Sequence, residues 1–254
     1  MMKKKKSPTR RHLPPGVEIL HEDDDTLVVE KPHGLLTIAT EQRTTGTLYS
    51  KLTEYVRKGN YKSRNRIFIV HRLDRDASGV LVFAKTPEAK AALQGTWEDA
   101  KKTYLAVVHG RMPEKSGIIE SHLLESKAQK VHSTRDTKQG MLSRTAYRVV
   151  RESGAHSLLE IDLLTGRKHQ IRVHLSEAGH PIVGDRKYGA NNDGEKRLAL
   201  HAKSLSFPHP ETGRRVEFET ETPGYFDRLM RGAGASGATA RGHDHASEKT
   251  EAKR

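Results

Sequence analysis

The sequence contains no cysteine and few aromatic residues, which make up 5% of its 254 residues. The absence of cysteine excludes disulfides, thiolate metal sites and cysteine nucleophiles. No stretch approaches the roughly 20 apolar residues that a membrane-spanning helix needs. The basic start MMKKKKSPTRRH lacks the apolar segment of a secretory signal. We therefore expect a cytoplasmic protein that has no membrane partner.

Acidic residues are outnumbered by basic ones. The sequence has 45 lysines and arginines against 32 aspartates and glutamates, which gives a formal net charge of +13. Such an excess attracts polyanions through counterion release. Nucleic acid is therefore the expected partner.

Large apolar residues are scarce at both ends of the chain. Residues 1–16 are basic and contain prolines, and residues 230–254 are polar, so both are predicted to be disordered tails. Residues 17–229 are predicted to form one folded domain, and we expect a monomer. The basic tail fits either a solubilising or localising extension or an RNA-binding arm.

The order of apolar segments predicts a mixed α+β fold. VEILHEDDDTLVVEKPHGLLTIA has the pattern of a hairpin with an aspartate-rich turn. Further strands are predicted at RIFIVHRL, SGVLVFAKT, KTYLAVVHG, GIIESHLL, TAYRVVRESG and HSLLEIDLL. Helices are predicted in TPEAKAALQGTWEDA, with Thr86 as N-cap and Pro87 at its first position, and over 168–178. Because strands and helices do not alternate regularly, a largely antiparallel sheet with flanking helices is expected.

The segment HRLDRDASGVLVFAK concentrates charge between two apolar runs. Asp74 lies where one predicted strand ends, a position from which a sheet can present a side chain to a cleft. Its neighbours Arg72 and Arg75 would favour the ionised carboxylate. A charged turn with an internal salt bridge is the alternative interpretation.

The predicted helix over 168–178 begins with a cluster of basic residues, namely Arg167, Lys168, His169, Arg172 and His174. Residues 169 and 172 are three apart, so that they share a helix face, while Ile171 and Leu175 can enter the core. Such a face could grip phosphates or pair with a carboxylate, or it could simply be solvated. No phosphate-binding glycine loop or zinc motif is present, so no cofactor and no metal are expected.

Four segments together resemble, in order, the motifs of the RluA-like family of RNA pseudouridine synthases. They are HRLDRDASGVLVFAK, KTYLAVVHG, GRKHQIRVHLSEAGHPIVGDRKYG and LALHAKSLSF, and ILHEDDDTLVVEKPHGLL extends the resemblance to most of residues 17–208. The resemblance implies a catalytic domain of the pseudouridine synthase type. It also implies an isomerase that converts specific uridines of ribosomal or transfer RNA to pseudouridine.

The resemblance also implies roles for individual residues. Asp74 matches the essential aspartate of the family, and Arg172 matches the arginine that pairs with it. Tyr104 matches the tyrosine that packs on the target base and is a candidate for handling the C5 proton. These three are the expected catalytic residues. Leu200 matches an apolar residue beneath the base. The remaining expected substrate-binding residues are His71, Arg72, Arg167, Lys168 and His169. Two residues depart from the family: Ala77 stands where many members carry threonine or serine, and Lys168 stands where threonine is common.

Two other classes of function remain as alternatives. An RNA-binding protein could keep the fold without turnover, although the presence of Asp74, Tyr104 and Arg172 argues against this. A nucleoside hydrolase or glycosidase could use the same carboxylate, but the motifs lack a second acidic residue to act as general acid. Release of free uracil would indicate the hydrolase.

Overall fold

The computed structural model of the protein describes residues 13–39, 45–58, 60, 62–189 and 193–231. Of the tail predicted over residues 1–16, only residues 13–16 are described. There, Pro14 is buried and Leu13 packs against the core. The tail predicted over 230–254 lies outside the described residues from residue 232 onward.

Within these residues the chain forms eleven strands and four helices. The strands are β1 (Glu18–Glu22), β2 (Thr26–Lys31), β3 (Phe68–Ile69), β4 (Ser78–Ala84), β5 (Lys101–His109), β6 (Ser116–Glu125), β7 (Val131–Thr134), β8 (Met141–Glu152), β9 (His156–Leu163), β10 (Leu200–Pro208) and β11 (Arg215–Glu219). The helices are α1 (Leu48–Val56), α2 (Pro87–Gly95), α3 (Gln170–Glu177) and α4 (Gly224–Arg231). A 3-10 turn, Trp97–Asp99, follows α2.

All eleven strands belong to one mixed sheet. Its main path is β1-β2-β4-β10-β5-β9-β8-β6-β7, with β11 on β10 and β3 on β4. Strands β4 and β10 are parallel, and the other pairs of described strands are antiparallel. The predicted α+β fold with a largely antiparallel sheet is therefore confirmed.

Strand β4 lies at the centre of the fold, and all seven of its residues are buried. Its side chains alternate between two apolar clusters, because successive residues of a strand point to opposite faces. Leu81 and Phe83 pack in the cluster that includes α1, whereas Val80 and Val82 pack in the cluster that includes α2. Burial on both faces explains the continuous apolar run in the sequence.

The parallel contact between β4 and β10 requires a glycine at position 79. Gly79 has a φ of +114°, and a Cβ atom there would lie 2.1 Å from the carbonyl oxygen of Ala202. Only glycine tolerates both this backbone conformation and this close approach. The register pairs Ser78 with His201 and Gly79 with Ala202, which fixes where the chain enters β4.

The strand predicted at RIFIVHRL (residues 66–73) is wrong except at Phe68–Ile69. Strand β3 has only two residues, and residues 70–73 have no regular structure apart from a bend at Val70. The imidazole Nε2 of His71 accepts a hydrogen bond from the backbone N–H of Val82 at 3.2 Å. A side chain, rather than a strand backbone, therefore partners β4 at this position.

The two predicted helices are confirmed within two residues at their starts. Thr86 caps α2 by accepting from the backbone N–H of Ala89, and Pro87 is its first residue. The helix predicted over 168–178 is α3, which begins at Gln170. In the part of the chain that the structure describes, no helix combines the length and apolar character needed to cross a bilayer.

Candidate active site

A cavity of about 320 Å³ lies beside the charged turn that precedes β4. Its walls come from this turn, from β5 and β10, and from α3 with the loop before it. Eight of the nine predicted site residues line it, namely His71, Arg72, Asp74, Tyr104, Arg167, His169, Arg172 and Leu200. Lys168 does not line it, because its ammonium pairs with Glu125 on β6. Residues far apart in the sequence thus converge on one site.

Asp74 and Arg172 form an ion pair at the cavity wall. The Nη1 atom of Arg172 donates to Oδ2 of Asp74 at 2.9 Å, and their side chains are only 7% and 17% exposed, respectively. The sequence suggested that Arg75 supports Asp74, but Arg75 pairs with Asp76 at 2.9 Å. The partner of the carboxylate therefore comes from α3 and not from its own turn.

Asp185 holds the other side of the same guanidinium. It accepts from Nε and Nη2 of Arg172, both at 2.8 Å, and its side chain is 1% exposed. Burial by itself would raise the pKa of Asp185, but the hydrogen bonds and charge of Arg172 lower it below its ordinary value. Arg172 is thus fixed between two carboxylates, and a bidentate pair of this kind restricts its orientation.

Buried polar contacts fix α3 against the sheet. Gln170 donates to the carbonyl oxygen of Arg144 and to the hydroxyl of Thr145, both at 2.9 Å. His174 lies between the hydroxyls of Ser121 and Thr145, at 3.0 and 2.9 Å. Because these groups are satisfied, the helix can bury polar side chains and still present Arg172 to the cavity.

Tyr104 and Leu200 form the apolar side of the cavity. They lie on the adjacent strands β5 and β10, and both are buried. Burial first, and then the charge of Asp74, raise the pKa of Tyr104 above its ordinary value. Its side chain is therefore a neutral phenol at physiological pH. His201, which follows Leu200, does not line the cavity, because its imidazole lies between the hydroxyls of Ser78 and Thr220.

His71 lines the cavity as a neutral ring. Burial, followed by the charge of Lys102, lowers the pKa of His71 to about 3. The ring lies 4.6 Å from the ring of Trp97, the single tryptophan of the chain, and the ammonium of Lys102 lies 5.5 Å from the same indole. His71 therefore supports the wall, while Lys102 contributes positive charge.

His169 precedes α3 in a left-handed backbone conformation, with φ 55° and ψ 15°. Its Nε2 atom is 3.8 Å from Oδ1 of Asp74, and its Nδ1 atom is 2.8 Å from the hydroxyl of Tyr188. Burial lowers the pKa of His169 to about 4, although the charge of Asp74 opposes this shift. At physiological pH the contact with Asp74 is therefore not an ion pair.

Lys31, like Asp185, is a residue that the sequence analysis missed. It ends β2 with 0% exposure, and its ammonium donates to the carbonyl oxygens of Pro32, Leu35 and Arg75 at 2.9 to 3.0 Å. Burial lowers the pKa of Lys31 to about 7, against the opposing charges of Asp74 and Asp76. The three bonds tie the charged turn to the loop after β2.

The missed residues left weak signals in the sequence. Lys31 is a charge at the end of the apolar run TLVVEK, and Asp185 follows the apolar residues of PIVGD. A charged residue next to a buried run needs a partner. The sequence does not say which partner, because Arg172 and Arg75 reach these residues only through the fold.

Comparison with known proteins gives a consistent picture. A family model described as RNA pseudouridylate synthase matches residues 25–177. An uncharacterized RNA pseudouridine synthase of Bacillus subtilis is 37% identical over 214 residues, which cover 83% of this chain and 70% of that protein. A ribosomal large subunit pseudouridine synthase D of Nitrosomonas europaea is 38% identical over 220 residues, which cover 82% of this chain and 62% of that protein.

Solved structures agree in fold. The human RNA pseudouridylate synthase domain containing 4 superimposes with a TM-score of 0.69 at 24% identity, covering 84% of this chain and 91% of that one. The human RNA pseudouridylate synthase domain containing 1 has a TM-score of 0.66 at 26% identity, covering 83% of this chain and 87% of that one. The sheet and its flanking helices are thus shared with these proteins.

Proposed function

The chain belongs to the RluA-like family of RNA pseudouridine synthases and is an isomerase that acts on RNA, and we propose that Asp74 carries its reaction on uridines of ribosomal RNA. The observation that carries the proposal is the ion pair between Asp74 and Arg172 inside a cavity with one apolar side. The choice of ribosomal RNA rests on relatives named as ribosomal large subunit pseudouridine synthases. Transfer RNA is the second candidate.

The reaction breaks the bond between N1 of uracil and C1′ of the ribose and joins C5 to C1′. Positive charge develops on the sugar as the bond breaks, and an adjacent carboxylate stabilises or traps it, as in glycoside hydrolysis. Asp74 supplies this carboxylate, either by attack on C1′ or by removal of the 2′ hydrogen. In the first route the bond from Asp74 to C1′ breaks as C5 joins C1′, and in the second the proton returns from Asp74 to C2′. The proton then lost from C5 is matched by the one gained at N1, so that the atoms balance without a cofactor or metal.

Arg172 keeps Asp74 charged and oriented in this scheme. A guanidinium remains protonated in proteins, and its planar donors fix the direction of the carboxylate. Tyr104 packs against the base as a neutral phenol, since its raised pKa disfavours a resident phenolate. Tyr104 and Leu200 exclude water, which would otherwise intercept the activated sugar.

Basic residues at the cavity supply contacts for the RNA backbone. Arg72 and Arg167 are exposed beside the cavity, and Lys102 lies at its wall. A uridine in a helix must leave its stack to reach Asp74, at a cost of a few kcal/mol. Phosphate contacts from these residues offset that cost. We further propose a monomer that acts in the cytoplasm, which sedimentation and fractionation would test.

Pseudouridine mapping by chemical labelling tests the proposal. Total RNA is compared from cells that lack the gene and from the same cells complemented with wild type, Asp74→Asn or Asp76→Asn. Asp76 lies on the same turn but pairs with Arg75 and does not line the cavity, which makes it the matched control.

We expect a ribosomal RNA site that disappears on deletion and returns with wild type and Asp76→Asn but not with Asp74→Asn. Asparagine removes the charge of the carboxylate while nearly preserving its shape, so that RNA binding should persist. If a transfer RNA site disappears on deletion instead, transfer RNA and not ribosomal RNA is the substrate. Restoration by Asp74→Asn would remove Asp74 from the mechanism.

A further inference from the structure

His169 and Tyr188 form a hydrogen-bonded pair, and the other contact of the Tyr188 hydroxyl favours one direction for this bond. The hydroxyl oxygen of Tyr188 accepts from the backbone N–H of Val131 at 3.0 Å and lies 2.8 Å from Nδ1 of His169. Among the residues that the structure describes, no other group bonds to this hydroxyl. The backbone N–H of Val131 can only donate. Donation of the single hydroxyl hydrogen of Tyr188 to Nδ1 of His169 is the favoured direction, since Nδ1 is the one acceptor that the hydroxyl contacts among the described residues.

This direction decides the tautomer of His169. A neutral imidazole carries one N–H, and the hydrogen bond made by one nitrogen sets the state of the other. With Nδ1 accepting from Tyr188, the hydrogen of the neutral ring is on Nε2. The Nε2 atom is 3.8 Å from Oδ1 of Asp74, the oxygen that Arg172 does not bond.

The opposite tautomer would be unfavourable at this place. With the hydrogen on Nδ1, the lone pair of Nε2 would face the lone pairs of Oδ1, and the two would repel each other. The backbone of His169 also marks this position, since a φ of 55° is uncommon for a residue with a Cβ atom. Such conformations persist where the surrounding structure over-determines them, and they cluster at functional sites.

We propose that Tyr188 holds His169 as its Nε2–H tautomer, and that His169 thereby orients the free oxygen Oδ1 of Asp74 towards the substrate. Arg172 anchors Oδ2, while the longer contact from His169 directs Oδ1 without blocking it. His169 and Tyr188 are thus positioning residues. The inference rests on the catalytic role proposed for Asp74.

Nitrogen NMR of histidine-labelled protein tests the tautomer without requiring turnover. The signal of His169 is identified by its loss in His169→Gln. We expect wild type to show Nε2 protonated and Nδ1 unprotonated, and Tyr188→Phe to show a mixture of tautomers. Tyr55→Phe is the matched control, because it removes a tyrosine hydroxyl that bonds Glu22 away from the cavity.

Single-turnover rates test the functional consequence. Total RNA from the deletion strain is the substrate, and pseudouridine is quantified at increasing enzyme concentration. We expect Tyr188→Phe to lower the rate at saturating enzyme about five- to tenfold, which corresponds to the usual energetic contribution of one such hydrogen bond. The enzyme concentration that gives half the maximal rate should not change. His169→Gln, whose amide can still donate, should retain more activity than His169→Leu.

The outcomes separate this inference from the proposed function. A wild-type His169 protonated on Nδ1, or a wild-type rate in Tyr188→Phe, would overturn the inference. Equal rates in His169→Gln and His169→Leu would also count against it. If wild type modifies no RNA, the proposed function fails, while the NMR result still decides the tautomer.

Discussion

Replacing Asp185 with asparagine should test whether Arg172 depends on its second carboxylate. Asp185→Asn removes the negative charge that accepts two hydrogen bonds from Arg172, at 2.8 Å each. The asparagine oxygen can still accept from the backbone N–H groups of Lys187 and Tyr188, which lie 2.9 and 3.0 Å from Oδ1. The local turn should therefore survive, while the ion pair does not.

The expected loss of stability follows from burial. The side chains of Arg172 and Asp185 are 7% and 1% exposed, and removing one partner of such a buried pair costs about 3–5 kcal/mol. Because the turn keeps its backbone bonds, we expect the lower end, about 3 kcal/mol. For a domain of this size, that corresponds to a fall in melting temperature of roughly 6–12 °C.

Turnover should fall as well, because Arg172 would lose the bond from Nε to Oδ2 and the negative charge that fixes it opposite Asp74. A catalytic group that is displaced by about 1 Å can lose roughly 100-fold in rate. We expect a 10- to 100-fold lower single-turnover rate for Asp185→Asn. Urea unfolding and pseudouridine formation on deletion-strain RNA measure the two effects separately.

Glu195→Gln is the matched control, since Glu195 also forms a bidentate pair, but with Arg228, whose side chain is 60% exposed. Exposed pairs contribute little to stability, so this variant should behave as wild type.

The pKa of Asp185 is lowered in the folded state. The Asp185 carboxylate therefore stabilises the fold above about pH 4, the pKa of aspartate in the unfolded chain. This stabilisation is lost as the pH falls further. Wild-type stability and a wild-type rate in Asp185→Asn would refute the reasoning.

Two further perturbations test buried polar groups outside the ion pair. Lys31→Met leaves three carbonyl oxygens without their donor, so we expect it to lose about 3 kcal/mol or more in urea unfolding. The exposed Lys51→Met should lose little, and equal losses would contradict this role for Lys31. Burial, followed by Lys203 and Arg197, lowers the pKa of His201 to about 4. The contribution of His201 to stability should therefore be full above about pH 6.5, the unfolded pKa of histidine, and fall by roughly 3 kcal/mol towards pH 4, in addition to the falls from His71 and His169, whose pKa values are also lowered. His201→Gln should flatten this fall, and an unchanged slope would argue against the assignment.

The polarity pattern was sufficient for most of the sheet and for two helices. The run at β4 predicts a strand because it is apolar and β-branched, and Thr86 with Pro87 predicts the start of α2 from local chemistry alone. Helix α1 was not predicted. Its apolar residues Leu48, Leu52 and Tyr55 do recur at helical spacing behind the N-cap Thr47, so the local signal was present in LYSKLTEYV.

The motifs of the sequence determined the family, the enzyme class and eight of the residues that line the cavity. These properties follow from residue types in order, which a chain carries whatever its conformation. The tertiary structure decided which charges meet. It placed Arg172 between Asp74 and Asp185, paired Arg75 with Asp76, and buried Lys31 beneath the charged turn. Such partnerships join residues up to 98 positions apart, and their strength depends on distance and burial, which no local pattern contains.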